Sequence, residues 1–273
     1  MSGPVLLTGA AGRIGTVLRG GLPERGWALR SLDVVPIPDV RPGEEQFVAD
    51  ATDLAAMTDA AQGASAVVHM AGISGESTWP AIRDTNIQST FAALEAARLA
   101  GVPRVVLASS NHASGYTERP ADGGLLREED APQRPDTYYG VSKVAMEALG
   151  SLYVDRYGLD VVCLRIGSAF AEPTTTRQLS TWLSPADTVS LVHAALSAPA
   201  PGFRVVWGVS ANTRRWWDLT AARELGYEPA DDAEVYAEAL VEVHGEPDLA
   251  DPVHRRVGGE YTTADFDAEN FPA

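Results

Sequence analysis

Seven short apolar runs punctuate the chain: PVLLT from Pro4, WALRSLD from Trp27, EQFVA from Glu45, SAVVHMAG from Ser65, PRVVLASS from Pro103, DVVCLRIG from Asp160 and GFRVVWGVS from Gly202. They are apolar almost throughout rather than at every second position, which is the pattern of strands buried on both faces. Longer segments with helical spacing separate them. In TNIQSTFAALEAARLAG, Ile87, Phe91, Leu94 and Ala97 recur at helical intervals and Gly101 stands where a C-cap belongs. Strand and helix signals that alternate in this way predict an α/β fold, a parallel sheet with helices on both faces.

Beyond Gly167 the pattern loosens. AEPTTTRQLSTWLSP reads as loop, ADTVSLVHAALSAP as a helix, and DDAEVYAEALVEVHG as a further helix capped by Asp231 or Asp232. Too few apolar residues remain there for a separate core, so residues 1–273 are expected to form a single domain, with those from about 167 onward contributing a small C-terminal substrate-binding lobe. The 273 residues are 45% hydrophobic, enough for one sizeable core, and the net charge of -16 argues against nucleic acid or an anionic membrane surface as partner. The lone cysteine, Cys163, lies in an apolar run and is expected to be a buried thiol. The histidines lack ligand spacing, so no metal is expected. No signal segment and no run of ~18 apolar residues is present, and a cytoplasmic location is the expectation.

Chemistry enters directly after the first run. TGAAGRIG places Gly9, Gly12 and Gly15 in a Gly-x-x-Gly-x-x-Gly pattern that opens a helix. Such glycines turn the chain tightly and let backbone N–H groups and a helix N-terminus approach a pyrophosphate. With this motif the fold becomes a Rossmann-type doubly wound sheet, and Arg13 and Ile14 join the glycines as cofactor contacts. Asp33 ends the second run about 20 residues on, where a carboxylate accepts from ribose hydroxyls and repels a 2′-phosphate, so NAD is expected over NADP. Asp50 is a second adenine-side candidate, and Ala71 and Gly72 offer backbone that passes close to the cofactor.

YYGVSK contains Lys143, the only lysine in the chain. Tyrosine titrates near ~10, too high for a base at neutral pH unless a cation stabilises its phenolate. Tyr139 and Lys143, four apart on a helix, share a face. A compact ammonium also binds ribose hydroxyls where the planar fork of arginine fits poorly, which explains the retained lysine. Ser109 and Ser110 close the fifth run at the carboxyl edge of the sheet, where such folds bind ligands.

These residues resemble the extended branch of the short-chain dehydrogenase/reductase superfamily, in which Ser110 would hold the substrate oxygen. SSNHASGY, YGVSK, LRIGS, RQLSTWLS, VVWGVSAN and GGEY, spread over nearly the whole chain, together resemble bacterial uronate dehydrogenases. That resemblance implies NAD-dependent oxidation of C1 of D-glucuronate and D-galacturonate to an aldarolactone, with a small-molecule sugar acid as partner and a homo-oligomeric state. It implies Tyr139, Lys143 and Ser110 as catalytic residues. Arg177 would clamp the carboxylate, and Ser74, Ser110, Asn111, His112, Tyr139 and Ser168 would line the sugar site. Tyr261 stands where the family usually carries phenylalanine. A nucleotide-sugar epimerase or dehydratase of the same superfamily, or a non-catalytic NAD sensor, are the alternatives.

Overall fold

The computed structural model describes residues 3–264 and 266. Six of the apolar runs form β1 (Val5–Thr8), β2 (Leu29–Asp33), β3 (Glu45–Val48), β4 (Ala66–His69), β5 (Arg104–Leu107) and β6 (Asp160–Ile166). The short strands β7 (Ser168–Ala169) and β8 (Trp182–Leu183) pair only with each other, and β9 (Phe203–Gly208) is the seventh run. The main sheet runs β3-β2-β1-β4-β5-β6-β9, parallel at every pairing. Strand order reverses between β1 and β4, and a crevice at the carboxyl ends opens there.

Along the chain, α1 (Arg13–Gly21) follows β1, and α2 (Leu54–Ala61) follows β3. Beyond β4 come α3 (Trp79–Ile82), a π-helical turn (Arg83–Ile87) and α4 (Gln88–Ala100). Helix α5 (Tyr138–Tyr157) leads into β6, and α6 (Gln178–Thr181) and α7 (Pro185–Ser197) precede β9. The remainder holds α8 (Thr220–Glu224), α9 (Ala237–His244) and α10 (Pro252–Arg255).

Two apolar layers sandwich the sheet because alternate strand residues point to opposite faces. Val5, Leu7, Val68, Val106, Val162 and Leu164 face Leu18 of α1, Val192 of α7 and the stacked pair Trp207 and Trp217. Leu6, Val67, Val105, Val161 and Cys163 face Met57 of α2, Ala93 of α4 and Met146 of α5. Cys163 is buried as expected. A third cluster, Leu179, Trp182, Ala233 and Ala237, gathers α6, β8 and the start of α9.

Two local expectations need revision. Leu94 and Ala97 of α4 are buried as expected, but Phe91 is 37% exposed; Ala92, Ala93 and Ala96 are buried beside them, small residues that let α4 lie close to α2. The segment read as loop after Ala171 contains α6 and β8. Of the two aspartates proposed as caps, Asp232 accepts from Glu234 N, at the head of a 3₁₀ turn that runs into α9, whereas Asp231 accepts from Ser184 Oγ. Gly101 does close α4, at φ +69°.

His69, at the end of β4, is fully buried, with Nδ1 2.9 Å from Thr8 Oγ1 and Nε2 3.3 Å from Ser89 Oγ. Burial, with a smaller contribution from the Lys143 cation, pushes it down to about 3. The unfolded chain binds a proton at this histidine below about 6.5 while the folded chain does not, so stability falls as pH drops below that value. Between pH 7 and 5 this single group should cost about 2 kcal/mol. Urea unfolding of wild type and His69→Gln at both pH values checks it: the variant should lose that share of the pH dependence, and identical slopes would contradict it.

Candidate active site

The first turn after β1 depends on close backbone approach. Gly9 has φ +67°, and a Cβ there would sit 2.7 Å from the amide nitrogen of Ala71. A Cβ on Gly15 would overlap the carbonyl oxygen of Gly9, whereas one on Gly12 would stand 3.2 Å from it. Gly12 caps α1, whose first residues are Arg13 and Ile14. Asp33 Oδ2 accepts from Ala11 N at 2.9 Å, so the carboxylate at the tip of β2 is bonded to the glycine turn. Asp50 lies beyond β3 with Oδ1 turned onto Thr52 N and Oγ1 at 2.8 and 2.9 Å. The turn thus has the features of a dinucleotide cradle: bare backbone, a helix N-terminus and a carboxylate at the end of the second strand.

Next to the turn a cavity of about 470 Å³ opens at the carboxyl ends of β4, β5 and β6. Arg13, Ile14, Ala71 and Gly72, next to the glycine turn, line it together with Tyr139, Lys143, Ser74, Ser110, Asn111, His112, Ser168, Arg177 and Tyr261. Gly9, Gly12, Gly15, Asp33 and Asp50 are outside this cavity.

The N-terminus of α5 is fixed by two carboxylate and hydroxyl acceptors. Thr137 Oγ1 accepts from Gly140 N at 3.1 Å, and the buried Glu76 carboxylate accepts from Tyr138 N and Tyr139 N at 3.2 and 2.8 Å. One turn on, Lys143 Nζ donates to Ala108 O at 2.7 Å and lies 5.1 Å from the Tyr139 ring centroid. Burial pushes the Lys143 ammonium down to about 8. Burial pushes the Tyr139 hydroxyl up to about 12, with Ser110 and the Arg13 cation acting against it. Tyr138, by contrast, is exposed. The two serines also part company: Ser109 Oγ donates to Glu147 Oε1 at 2.7 Å, inside a buried pair with Arg165, while Ser110 Oγ stays beside Asn111 and His112.

Arg177 reaches across to the C-terminal segment. Nη1 donates to Val253 O and Arg256 O at 2.6 and 3.1 Å, and Nη2 to Val257 O at 2.6 Å. Of the five guanidinium N–H groups, Nε–H and one on Nη2 remain without an acceptor among the described residues. Burial lowers this guanidinium to about 10, with Glu260 and Asp136 acting to raise it. Asn111 Nδ2 also donates to Val257 O, at 2.8 Å, and Ser168 Oγ sits 2.9 Å from Thr181 Oγ1. Tyr261 stacks on His112 at 4.0 Å and on Phe266 at 3.9 Å.

Several contributors escaped sequence reasoning. Phe170 lines the cavity beneath Arg13, 4.3 Å from its guanidinium. Asn86, in the π-helical turn, accepts from Ile73 N at 2.7 Å and donates to Ile73 O at 3.0 Å, and so holds the backbone after Gly72 (φ +143°). Glu76 and Asp136 act through partners distant in sequence.

The model of the NAD dependent epimerase/dehydratase family matches residues 5–251. The chain belongs to this family. NAD is its cofactor. Among relatives in the family, uronate dehydrogenase of Pseudomonas putida is 41% identical over 261 residues, 95% of this chain and 96% of the relative. The crystal structure of glucuronic acid dehydrogenase from Chromohalobacter salexigens superposes with a TM-score of 0.91 at 36% identity, over 99% of this chain and 100% of that one. Uronate dehydrogenase of Agrobacterium tumefaciens, solved as a tyrosine-to-alanine variant complexed with NAD, gives 0.88 at 39% identity, over 97% and 98% of the two chains.

Because a Cβ on Gly15 would overlap the Gly9 carbonyl oxygen while one on Gly12 only crowds it at 3.2 Å, the two alanine variants should differ. Gly15→Ala should weaken NAD binding at least ~10-fold, about 1.4 kcal/mol, and Gly12→Ala less. Titration by tryptophan fluorescence measures both; equal losses would mean that the turn adapts to either side chain.

Proposed function

We propose that the protein is a uronate dehydrogenase, oxidising C1 of cyclic hexuronates such as D-glucuronate and D-galacturonate to the aldarolactone. The observation that carries this reading is Arg177, a guanidinium with Nε–H and one Nη2 N–H unpaired among the described residues, which lines the same cavity as Tyr139, Lys143 and Ser110. A guanidinium with two donors to spare suits a carboxylate, and a neutral hexose has no charge to offer it. The named relatives agree with this class of substrate and do not favour an epimerase or a sensor.

NAD, when bound, supplies the hydride acceptor. The chain supplies proton handling and orientation. Tyr139 takes the proton of the C1 hydroxyl, and its phenolate is stabilised by the Lys143 ammonium across the 5.1 Å that separates it from the ring. Ser110 donates to the oxygen that becomes the lactone carbonyl. Arg177 holds the C6 carboxylate and so fixes which ring carbon stands near Tyr139. Ser74, Asn111, His112 and Ser168 meet the ring hydroxyls, and Tyr261 covers the site. Asp33, Asp50 and the glycine turn hold the adenosine and pyrophosphate end, with Ala71, Gly72, Arg13 and Ile14 nearer the reacting ring.

Tyr139→Phe should lose at least ~10²-fold in kcat while its Kd for NAD stays within error, because a positioned base supplies that much and the ring is retained. NADH formation at 340 nm and a binding titration report the two quantities. Equal losses in both would indicate a cofactor-binding role.

Arg177 does two things, so its replacement must be read as a ratio. Arg177→Ala loses three bonds to the C-terminal segment on any sugar, but a charge-assisted contact only on an acid. The preference for glucuronate over glucose in kcat/KM should therefore fall by about 2–3 kcal/mol, the scale of a desolvated charged hydrogen-bond partner. A variant that loses the same factor on both sugars would leave Arg177 with the segment alone.

A further inference from the structure

Asp136 takes no part in the chemistry set out above, yet its carboxylate is completely buried one residue before the cap of α5. Oδ2 lies 2.7 Å from His112 Nδ1, and Oδ1 accepts from Thr137 Oγ1 at 3.0 Å. The same carboxylate packs against the Cα faces of Gly115 and Gly258, where any side chain would overlap it. It therefore joins three elements around the cavity: the turn that carries His112, the start of α5 and the C-terminal segment.

The His112 ring is held from three sides. Asp136 engages Nδ1, Tyr261 covers a face at 4.0 Å with 29° between planes, and Tyr139 meets the ring at 5.6 Å and 67°. His112 lines the cavity, and its Nε2 makes no hydrogen bond to the described residues. An ionised carboxylate only accepts, so the proton of the Asp136 contact sits on Nδ1, and in a neutral imidazole the opposite nitrogen is then an acceptor.

We propose that Asp136 is a positioning residue that locks His112 as its Nδ1–H tautomer, so that Nε2 accepts a hydrogen bond from one hydroxyl of the bound sugar acid. This rests on the uronate reading for the identity of the ligand, but not for the tautomer. The isolated imidazole prefers its proton on Nε2, and without Asp136 the ring would present a donor where the site needs an acceptor. Asp136 thus acts on substrate capture through His112 and touches neither the sugar nor NAD.

The test has two parts. Long-range ¹H–¹⁵N spectra of histidine-labelled wild-type protein with NAD at pH 8 should show His112 Nδ1 protonated and Nε2 bare; the chain has five histidines, and His112→Asn identifies the signal. In Asp136→Ala the proton should move to Nε2, with KM for glucuronate rising about tenfold, KM for NAD unchanged and kcat changed less. Asp136→Asn keeps a carbonyl acceptor for Nδ1–H and should recover part of the loss. A protonated Nε2 in wild type overturns the proposal, and this outcome needs no variant to fold. So does an Asp136→Ala protein with unaltered tautomer and KM. If wild type forms no NADH with any hexuronate, the substrate reading fails while the spectrum still decides the tautomer.

Discussion

One buried hydrogen bond sets the geometry of the site. Lys143 donates to Ala108 O at 2.7 Å, and Ala108 is the residue that follows β5. The bond fixes how far α5 slides along the sheet, and so where Tyr139, one turn earlier, stands relative to Ser110, two residues after the acceptor. Glu147, one turn later, repeats the tie by accepting from Ser109 and pairing with Arg165 on β6. Removing one partner from such a pair leaves an uncompensated buried charge, which makes the second tie as hard to displace as the first. An arginine at 143 would carry its charge on a wide plane, and one compact donor aimed at one carbonyl would be lost.

The C-terminal segment is attached by the side chains that also line the cavity. Arg177 donates three bonds to its carbonyls and Asn111 one, and both bond to Val257 O. An anion drawn to the remaining donors of Arg177 would neutralise a guanidinium whose proton affinity burial already lowers. The carbonyls of the segment satisfy part of the same guanidinium, so the attached segment and a bound anion would stabilise it together.

The five inner strands were legible because buried parallel strands leave continuous apolar runs, and the glycine turn and the Tyr139 and Lys143 pair because their partners lie within a few residues. The edge strands were read the same way, although β3 has no buried residue and β9 only three. The face of α4 was misread at Phe91, which points outward while alanines pack beside Leu94. Periodicity weighted by side-chain size cannot register an interface built on smallness. Glu76, Asn86 and Asp136 left almost no trace for a different reason. Their bonds span 62 and 63 residues for Glu76, 56 for Asn86 with Ser142, and 24 for Asp136 with His112. Only the folded topology brings those ends together. Ser109 and Ser110 are adjacent and chemically identical, and what separates them is Glu147, again distant in sequence.

The opposed shifts at Tyr139 and Lys143 have a common cause. Burial disfavours the charged form of each, which raises the phenol to about 12 and lowers the ammonium to about 8. At neutral pH this resting pair holds one buried positive charge, on Lys143, and loss of the tyrosine proton would leave a phenolate beside it, a pair with no net charge. Desolvation penalises the lone ammonium and weakens no part of the pair's mutual attraction, which grows as water is excluded. A site that was more open would bring both groups back toward their ordinary values, and would lose the attraction through which a weakly acidic phenol can serve as a base at all.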